Sequence, residues 1–539
     1  MRNHQVVSVI LVVFLVFLCE TLPAGPAVDR PSIRTQSFET QGDWENLRRG
    51  SVEYYAPVDG KAYAVLAEGD DPATLQTEIT VEAGKTYTLT LWARSIFSDK
   101  HTESLMGSDD DFPDGNPARV RANVELLAGS IVVAGAEVDV SPVTIRGAPE
   151  KFSNDDGGNI WVDGGYRHAF SESRFVQPIA SDPLRDPWEL APDFEDYEVA
   201  QEDHGAVAPV IVGDKKLLYV STFVDPDNEN EEYSAVQFIE VEGDGSPEYE
   251  WPDAPPSREE NMVISHAGDE EVVAFDQHIF YDEQEDRLWM TWGGNVIFVS
   301  ELDPETGKLI EPQPNPEVVT HSRGLHHRVA DRDEEGDRWT SDNGWIEGPT
   351  IYKHEGYWYL FASYGSLANN YTIRMGRSKQ PTGPYLDKNN VPLTQYDPQK
   401  DRFGSSFFLG DDGDQVVSGH AHLWEEDGQF YVGYDYRTHK ARDEQEDREA
   451  RDILGIREMH WVRGWPTIWT PITVSFDADD DPDAVGKKIG IALKNNGDRG
   501  SVAAFDWVNL KVTDEVTDEV TDEVADEVAD EVTDSSVTQ

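Results

Sequence analysis

The sequence has only one cysteine, Cys19, among its 539 residues. It therefore cannot form an intramolecular disulfide, and its stability has to come from packing or from a bound metal. Long apolar runs are equally scarce, because no stretch after Val6 to Leu18 is long and apolar enough to span a bilayer as a helix. Arg2 precedes this run and small residues follow it, which predicts a secretory signal peptide over residues 1–27 that would remove Cys19.

Basic residues are also few. Lys and Arg total 44 against 105 Asp and Glu, which gives a formal net charge of -61 at pH 7 and a pI near 4.3. A field of this sign repels nucleic acids and anionic membranes, so we expect neither as a partner. The same charge keeps a protein hydrated in concentrated salt, where screening weakens self-repulsion, and is consistent with a saline habitat.

The length exceeds what one hydrophobic core usually holds, so we expect at least two domains. The first is all-β, because Thr86 to Ala93 alternates between apolar and polar residues, and Val120 to Leu127 does the same. This pattern predicts the first half of a β-sandwich over residues 33–146. The Gly84 turn into this strand, with Asp43-Trp44 upstream, resembles the opening half of galactose-binding-like modules.

The closing half of that sandwich is predicted far downstream, over residues 467–512. Trp469 to Phe476 and Gly486 to Leu493 alternate, and Ala504 to Leu510 resembles the last strand of such modules. Because this piece is too short to bury its own core, we expect a large domain inserted between two halves of one sandwich. The acidic repeat over 513–539 predicts a disordered tail.

The middle of the chain, residues 147–466, repeats one pattern: a turn followed by an aromatic strand. Its anchor positions fall roughly 70 residues apart, a spacing typical of propeller blades with long loops. The anchors are Tyr219, Trp289, Tyr359 and Tyr431, with a weaker copy at Trp161. We therefore predict an all-β fold, with a five-bladed β-propeller inserted in or flanked by a jelly-roll-like β-sandwich.

The strand before each anchor is placed to line the propeller axis, and three of these strands carry Asp276, Glu347 and His420. Pro349 disfavours helix just before it, so Glu347 begins an extended segment. An apolar neighbourhood from Trp345 desolvates a carboxyl group and raises its pKa, which suits a general acid. The alternative is a glutamate at the start of a strand that simply faces solvent.

Segments of successive blades carry a family resemblance. They are Ala274-Phe275-Asp276 with Leu288 to Gly293, Trp345 to Pro349 with Tyr357 to Gly365, Gly419-His420 with Asp427 to Tyr431, and the closing Gly464-Trp465-Pro466. In this order they resemble glycoside hydrolase family 43, the five-bladed propellers of arabinanases, arabinofuranosidases and xylosidases. The resemblance covers roughly residues 200–466 and depends on the linked order, since each segment alone is unspecific.

The resemblance implies roles for individual residues. Glu347 would be the general acid that protonates the departing sugar oxygen, and Asp276 would tune its pKa and orient it. His420 would sit near the axis, where a calcium ion is expected, often bound through water. Contacts with substrate are implied for three further residues, and the histidines are also candidates for metal: His278, His422 and Arg374. An ordinary hydrogen-bonded role for each histidine, and a structural ion pair for the arginine, remain open.

The first blade departs from the family pattern. Relatives carry an aspartate followed by proline as the catalytic base, whereas the equivalent place here holds Ala148-Pro149-Glu150. The candidates are Asp163, then Asp156 and Glu150, and we expect Asp163. Asp182-Pro183 has the right dipeptide but belongs to a predicted blade-end turn. Without a base, the propeller would bind sugar without cleaving it.

These observations predict a secreted glycoside hydrolase, extracellular or periplasmic, that cleaves pentose-containing glycans of the arabinan or xylan type. The resemblance implies inversion, in which the two carboxyl groups stand roughly 6.5–9.5 Å apart. The alternative is a secreted, non-catalytic carbohydrate-binding propeller with a degenerate first blade. A third possibility keeps the fold and changes the substrate to a fructan or a galactan. We expect a glycan as partner and a monomeric protein.

Overall fold

The structure is a computed structural model and describes about three-fifths of the 539 residues. The described residues are 33–36, 44–45, 48–51, 62–67, 70–95, 119–143, 145, 159–170, 174–191, 203–224, 233–245, 247–251, 261–267, 274–310, 326–331, 345–365, 371–397, 402–412, 415–438, 453–497 and 501–514. The predicted signal peptide lies outside them. No helix among these residues is long and apolar enough to cross a membrane.

The first eight strands belong to a β-sandwich. They are β1 (Ile33–Gln36), β2 (Trp44–Glu45), β3 (Arg48–Ser51), β4 (Ala62–Ala67), β5 (Ala73–Thr80), β6 (Lys85–Ser95), β7 (Arg121–Ala128) and β8 (Ile131–Asp139). After the propeller the chain returns to the sandwich with three more strands and a short 3-10 helix, Pro482–Ala484. These strands are β31 (Thr470–Asp477), β32 (Lys488–Asn495) and β33 (Val502–Asp514).

Two of the returning strands, β32 and β33, lie inside the two sheets, and β31 lies at an edge. One sheet has the order β3-β4-β33-β6-β31, with β1 also pairing β33, and the other has the order β2-β5-β32-β7-β8. Because β32 separates β5 from β7, the N-terminal half alone would leave its strands unpaired. Leu89 and Leu91 of β6 are fully buried in the shared core, and each contributes about 1.5–3 kcal/mol.

The strands between the two sandwich halves form five antiparallel sheets in the described residues, one for each predicted blade. Blade 1 holds β9 (Asn159–Asp163), β10 (Tyr166–Phe170), β11 (Arg174–Pro178) and β12 (Glu189–Leu190). Blade 2 holds β13 (Asp203–Val212), β14 (Lys215–Val224), β15 (Tyr233–Val241) and β16 (Met262–Ala267). Blade 3 holds β17 (His278–Asp282), β18 (Arg287–Trp292), β19 (Val296–Leu302) and β20 (His326–Asp331).

Blades 4 and 5 complete the ring. Blade 4 holds β21 (Trp345–His354), β22 (Tyr357–Gly365), β23 (Thr372–Ser378) and β26 (Ser406–Leu409), with β24 (Tyr396–Asp397) and β25 (Arg402–Phe403) as an added ribbon. Blade 5 holds β27 (Gln415–Glu426), β28 (Gln429–Thr438), β29 (Ile453–Val462) and β30 (Trp465–Thr467). The innermost strands of blades 5 and 1 are in contact, as are those of blades 3 and 4 and of blades 4 and 5. The fold class predicted from the sequence is therefore confirmed.

A buried charge cluster joins the sandwich to blade 5. Asp412 Oδ2 lies 3.1 Å from Arg94 Nη2 at the end of β6 and 2.7 Å from Arg457 Nη1 of β29. Asp412 also accepts a hydrogen bond from the hydroxyl of Ser95. Arg94 and Asp412 are buried, so the carboxylate is satisfied by the two domains together and fixes one against the other.

The domain boundaries remain a prediction, but the strands refine two of them. β33 ends at Asp514, so the last strand continues two residues into the segment predicted as a disordered tail from 513. β30 ends at Thr467, one residue past the predicted end of the propeller. The rest of the acidic repeat, residues 515–539, lies outside the described part of the chain.

Candidate active site

An open pocket lies where the innermost strands of the blades begin. Every blade contributes to its lining, and blade 2 contributes only Ala206. The lining residues are Asn159, Ala206, Asp276, Gln277, His278, Gly348, Pro349, Thr350, His420 and Ala421. Residues far apart in the sequence therefore converge on one axis, as the repeat predicted.

Glu347 is held at the start of β21 by an irregularity of the strand. The pairing with β22 shifts register between Glu347 and Thr350, and Gly348 adopts a φ of 56°, which favours glycine. Such a bulge re-aims the side chain next to it. Glu347 is only 7% exposed, so it does not face solvent.

Asp276 lies directly beside this bulge. Its Oδ2 accepts hydrogen bonds from the backbone N–H of Gly348 and from Nε2 of His420, both at 3.0 Å. Its own backbone has a φ of 51°, a conformation that costs a non-glycine residue free energy. Contacts from the neighbouring blade hold it there, because the backbone N–H of Asp276 donates to Ser221 Oγ at 3.0 Å.

Gln277 secures the same turn to blade 2. Its side-chain amide donates to the carbonyl oxygens of Ala206 and Tyr219, each at 2.8 Å, and accepts from the Ser221 hydroxyl at 2.6 Å. No sequence pattern marked Ser221 or Gln277 as part of the site. A glutamine directly after Asp276 was visible, but its partners are on another blade and no local pattern connects them.

His420 bridges two carboxylates. Nε2 lies 3.0 Å from Asp276 Oδ2, and Nδ1 lies 3.6 Å from Asp435 Oδ2. Burial opposes the imidazolium charge, but the two carboxylates outweigh it and raise the pKa of His420 well above its usual value. Gly348 allows this approach, since a Cβ there would lie 2.0 Å from Cδ2 of His420. Asp435 was missed, although it pairs with Gly419 in the strand register.

The chemistry of His420 does not fit the calcium expected at the axis. A metal ligand needs a neutral imidazole with a free lone pair, whereas both nitrogens of His420 face carboxylates. Within the described ranges, no three His, Cys, Asp or Glu side chains are grouped to hold a metal. The geometry favours a cationic partner of Asp276 and Asp435 over a metal ligand for His420, and no step below involves calcium.

His278 and His422 form a second, uncharged pair near the axis. Their ring centroids lie 5.2 Å apart. Burial lowers the pKa of His278 well below its usual value and lowers the pKa of His422 to about 4. The Nδ1 atom of each is buried without a hydrogen-bond partner among the described residues. His278 lines the pocket and His422 does not, and contact of either ring with substrate stays a prediction.

Tyr371, next to the start of β23, contacts Glu347 directly. Its hydroxyl group lies 2.6 Å from Oε1 of Glu347, and Tyr371 is buried. Gly419 makes room for the ring, because a Cβ on Gly419 would lie 1.9 Å from Cε1 of Tyr371. Nothing in the sequence around Tyr371 pointed to the site, since it matches no segment of the repeat.

Two residues predicted for the site lie elsewhere. Arg374 of β23 is buried in blade 4, donates from Nε to Ser405 Oγ at 2.9 Å and lies 6.0 Å from the Phe407 ring centroid. It is not among the pocket residues, so the structure favours the alternative of a structural arginine. The reason is the strand that carries it, since Arg374 lies on the third strand of its blade and not on the innermost one.

Asp163, the expected base, lies at the end of β9 that is away from the pocket. It pairs with Tyr166 at the hairpin turn, and its carboxylate contacts Lys216 Nζ at 2.5 Å and the Tyr249 hydroxyl at 3.0 Å. The pocket end of the same strand is Asn159, roughly 13 Å away along an extended chain. Asp163 is therefore a structural ion-pair residue. The other two candidates, Asp156 and Glu150, lie outside the described residues.

Comparison with known proteins identifies the middle of the chain. Residues 252–466 match the model of glycosyl hydrolases family 43. The chain is 28% identical over 271 residues to an extracellular exo-α-(1->5)-L-arabinofuranosidase of Cellvibrio japonicus, which covers 48% of this chain and 69% of that protein. It is 33% identical over 124 residues to an extracellular endo-α-(1->5)-L-arabinanase of Bacillus subtilis, covering 22% of each chain.

Among solved structures, an exo-1,5-α-L-arabinanase from a bovine ruminal metagenomic library aligns with 59% of this chain and 98% of its own, at 21% identity and a TM-score of 0.45. The family model covers blades 3 to 5, which hold Asp276, Glu347 and His420. On this match residues 252–466 belong to glycoside hydrolase family 43, and the protein is a glycoside hydrolase.

Proposed function

We propose that this glycoside hydrolase cleaves pentose-containing polysaccharide or oligosaccharide of the arabinan or xylan type, with Glu347 as the general acid. The observation that carries the proposal is the buried pair of carboxyl groups, Glu347 and Asp276, joined through the Gly348 N–H at the pocket. The named relatives act on α-(1->5)-L-arabinan, which makes arabinan the first substrate to test.

In this proposal Glu347 is protonated before reaction and gives its proton to the departing glycosidic oxygen. Asp276 acts mainly by orientation. The sequence suggested that its negative charge keeps the acid protonated, but His420 places a positive charge 3.0 Å from the same carboxylate and offsets that repulsion. What remains is the hydrogen bond from Gly348 N–H to Asp276, which fixes the backbone that carries Glu347.

For the base we propose Asp156. Asp163 ends β9 at its hairpin in the same way that His354 ends β21. Asp156 precedes Asp163 by as many residues as Glu347 precedes His354. This equal spacing along the sequence is the ground for choosing Asp156. The water that attacks the sugar would then lie between two carboxyl groups roughly 6.5–9.5 Å apart, as inversion requires.

We also propose that the enzyme acts outside the cell. The apolar run Val6 to Leu18 has the length and flanks of a signal peptide, and both named relatives are extracellular proteins. The low cysteine content means that the fold does not require disulfides. The charge of -61 favours solubility in salt.

The test is product analysis on linear arabinan, arabinoxylan, a galactan and a fructan, with proton NMR of the first anomer released. The proposal predicts pentose products from arabinan or arabinoxylan, released with inverted anomeric configuration. Retained configuration would contradict the mechanism, and release from the galactan or the fructan alone would contradict the substrate class. Binding to arabinan without any release would identify a non-catalytic binding protein.

A further inference from the structure

The general acid proposed above has a dedicated hydrogen-bond partner. Tyr371 Oη lies 2.6 Å from Glu347 Oε1, and both side chains are buried, so little water competes for the contact. Hydrogen bonds to a charged acceptor at this length are about twice as strong as neutral ones.

The direction of this hydrogen bond is set by the groups behind it. The backbone N–H of His420 can only donate, and it donates to Ser363 Oγ at 2.8 Å. The Ser363 hydroxyl thereby keeps its one proton to donate, and Ser363 lowers the pKa of the Tyr371 phenol, the direction expected of a donor. The Tyr371 phenol in turn donates its proton to Oε1 of Glu347.

We infer that Tyr371 is a positioning residue that fixes which oxygen of Glu347 carries the catalytic proton. Oε1 is occupied as an acceptor from Tyr371, which leaves the transferable proton on Oε2. When that proton passes to the glycosidic oxygen, Glu347 becomes a carboxylate and the bond from Tyr371 strengthens. The inference rests on the proposed role of Glu347 and extends it, since stabilisation that grows during the reaction accelerates the chemical step.

Titratable groups around Glu347 come from three blades. Tyr371 faces it from blade 4, Asp276 from blade 3, and His420 from blade 5 with its ring against Gly348. The Asp276 and His420 charges lie together and largely offset each other. Burial and the nearby carboxylates raise the pKa of Tyr371 well above its usual value, so the phenol remains a donor throughout the working pH range.

The experiment compares Tyr371→Phe with Tyr364→Phe, a matched control. Tyr364 also lies in blade 4, and its hydroxyl group is buried without a hydrogen-bond partner in the described part of the chain. Each variant is assayed on a linear arabino-oligosaccharide and on 4-nitrophenyl α-L-arabinofuranoside, whose leaving group needs little acid assistance. Unfolding temperatures and the pH dependence of kcat/KM are measured for every variant.

For Tyr371→Phe we expect kcat on the oligosaccharide to fall about tenfold to a hundredfold, the effect of losing a hydrogen bond to a charged group. On the nitrophenyl substrate the fall should be about threefold or less, with KM little changed on both. Without its donor the carboxylate is less stable, so the pKa of Glu347 rises and the alkaline limb of kcat/KM moves to higher pH. Ser363→Ala should shift the alkaline limb of kcat/KM in the same direction but by a smaller amount. Tyr364→Phe should leave both the rates and the limb unchanged.

A merely structural tyrosine would give equal losses on both substrates and an unmoved alkaline limb, and that result overturns the inference. Wild-type behaviour of Tyr371→Phe, with Glu347→Gln inactive, overturns it as well while keeping the proposed function. Activity retained by Glu347→Gln would instead contradict the proposed function itself. If Tyr371→Phe does not fold, Ser363→Ala decides, because an unmoved limb in that variant contradicts the directed chain of donors.

Discussion

Nε2 of His420 lies 3.0 Å from Oδ2 of Asp276, although the two residues come from blades 5 and 3. The same Asp276 oxygen accepts the Gly348 N–H that follows Glu347 in the chain. One carboxylate therefore connects a buried cation with the backbone of the proposed acid. Its loss should affect catalysis more than folding, because Ser221 and Gln277 hold its backbone independently.

Asp276→Asn is predicted to lower kcat/KM on arabinan by about tenfold to a thousandfold, since it removes one charged hydrogen-bond acceptor and leaves His420 with a single carboxylate. The matched control is Asp286→Asn, because both aspartates have a φ of 51° and Asp286 lies in an exposed hairpin turn. Steady-state kinetics of the two variants test this. Equal, small effects would show that Asp276 has no special role.

The assignment of the base distinguishes Asp156 from Asp163 of blade 1. Asp156→Asn should reduce turnover by about a hundredfold or more, the contribution typical of a general base. Asp163→Asn should leave kcat nearly unchanged and lower thermal stability, because it disrupts the contact with Lys216 and Tyr249. Added azide should restore activity to a small-residue variant, Asp156→Gly, by supplying an external nucleophile. The reverse pattern, with Asp163→Asn inactive and Asp156→Asn active, would restore the assignment made from the sequence.

Because the histidines near the axis are neutral in the folded protein, the free energy of unfolding falls as the pH is lowered. His422 titrates at about 4 in the folded protein and near 6.5 when unfolded. The unfolded chain therefore takes up a proton first as the pH falls, so stability is lost between about pH 6.5 and 4. Linkage gives about 3 kcal/mol over this range for one histidine. Chemical unfolding of wild type and His422→Gln at both pH values should show a smaller acid loss in the variant. Equal losses would mean that His422 is not held neutral.

The junction of sandwich and propeller should depend on Asp412. Asp412→Asn leaves Arg94 and Arg457 without their shared carboxylate, and breaking a buried pair in this way costs about 3–5 kcal/mol. The control Glu78→Gln removes an exposed partner of Lys488 and should cost about 0–1 kcal/mol. The measurement is the free energy of unfolding in urea. A loss within 1 kcal/mol for Asp412→Asn would show that the two domains dock through other contacts.

The strand pattern of this chain was predictable because alternation and turns are local signals. Thr86 to Ala93 became β6, and the split sandwich followed from a C-terminal piece too short to fold alone. Repeat spacing also predicted that Asp276, Glu347 and His420 approach one axis, which the pocket lining shows for Asp276, His420 and the residue after Glu347.

The contacts between blades were not predictable in the same way. Ser221, Tyr371 and Asp435 reach the site from second strands or from the start of a third, where no repeat position marks them. Asp163 was predicted for the site but lies at the hairpin end of β9. A difference of a few residues along a strand moves a side chain from the pocket to the opposite end. The charge of His420 depends on two carboxylates that only the tertiary structure brings together.

The most direct test of the account is the rate of arabinan hydrolysis by Glu347→Gln beside Glu355→Gln, an exposed glutamate in the hairpin turn of the same blade. Glutamine keeps the shape of Glu347 but has no acidic proton to give to the glycosidic oxygen. We predict that Glu347→Gln loses about a hundredfold to ten-thousandfold in kcat with the unfolding temperature retained, whereas Glu355→Gln matches wild type. Full activity of a folded Glu347→Gln variant would contradict the account.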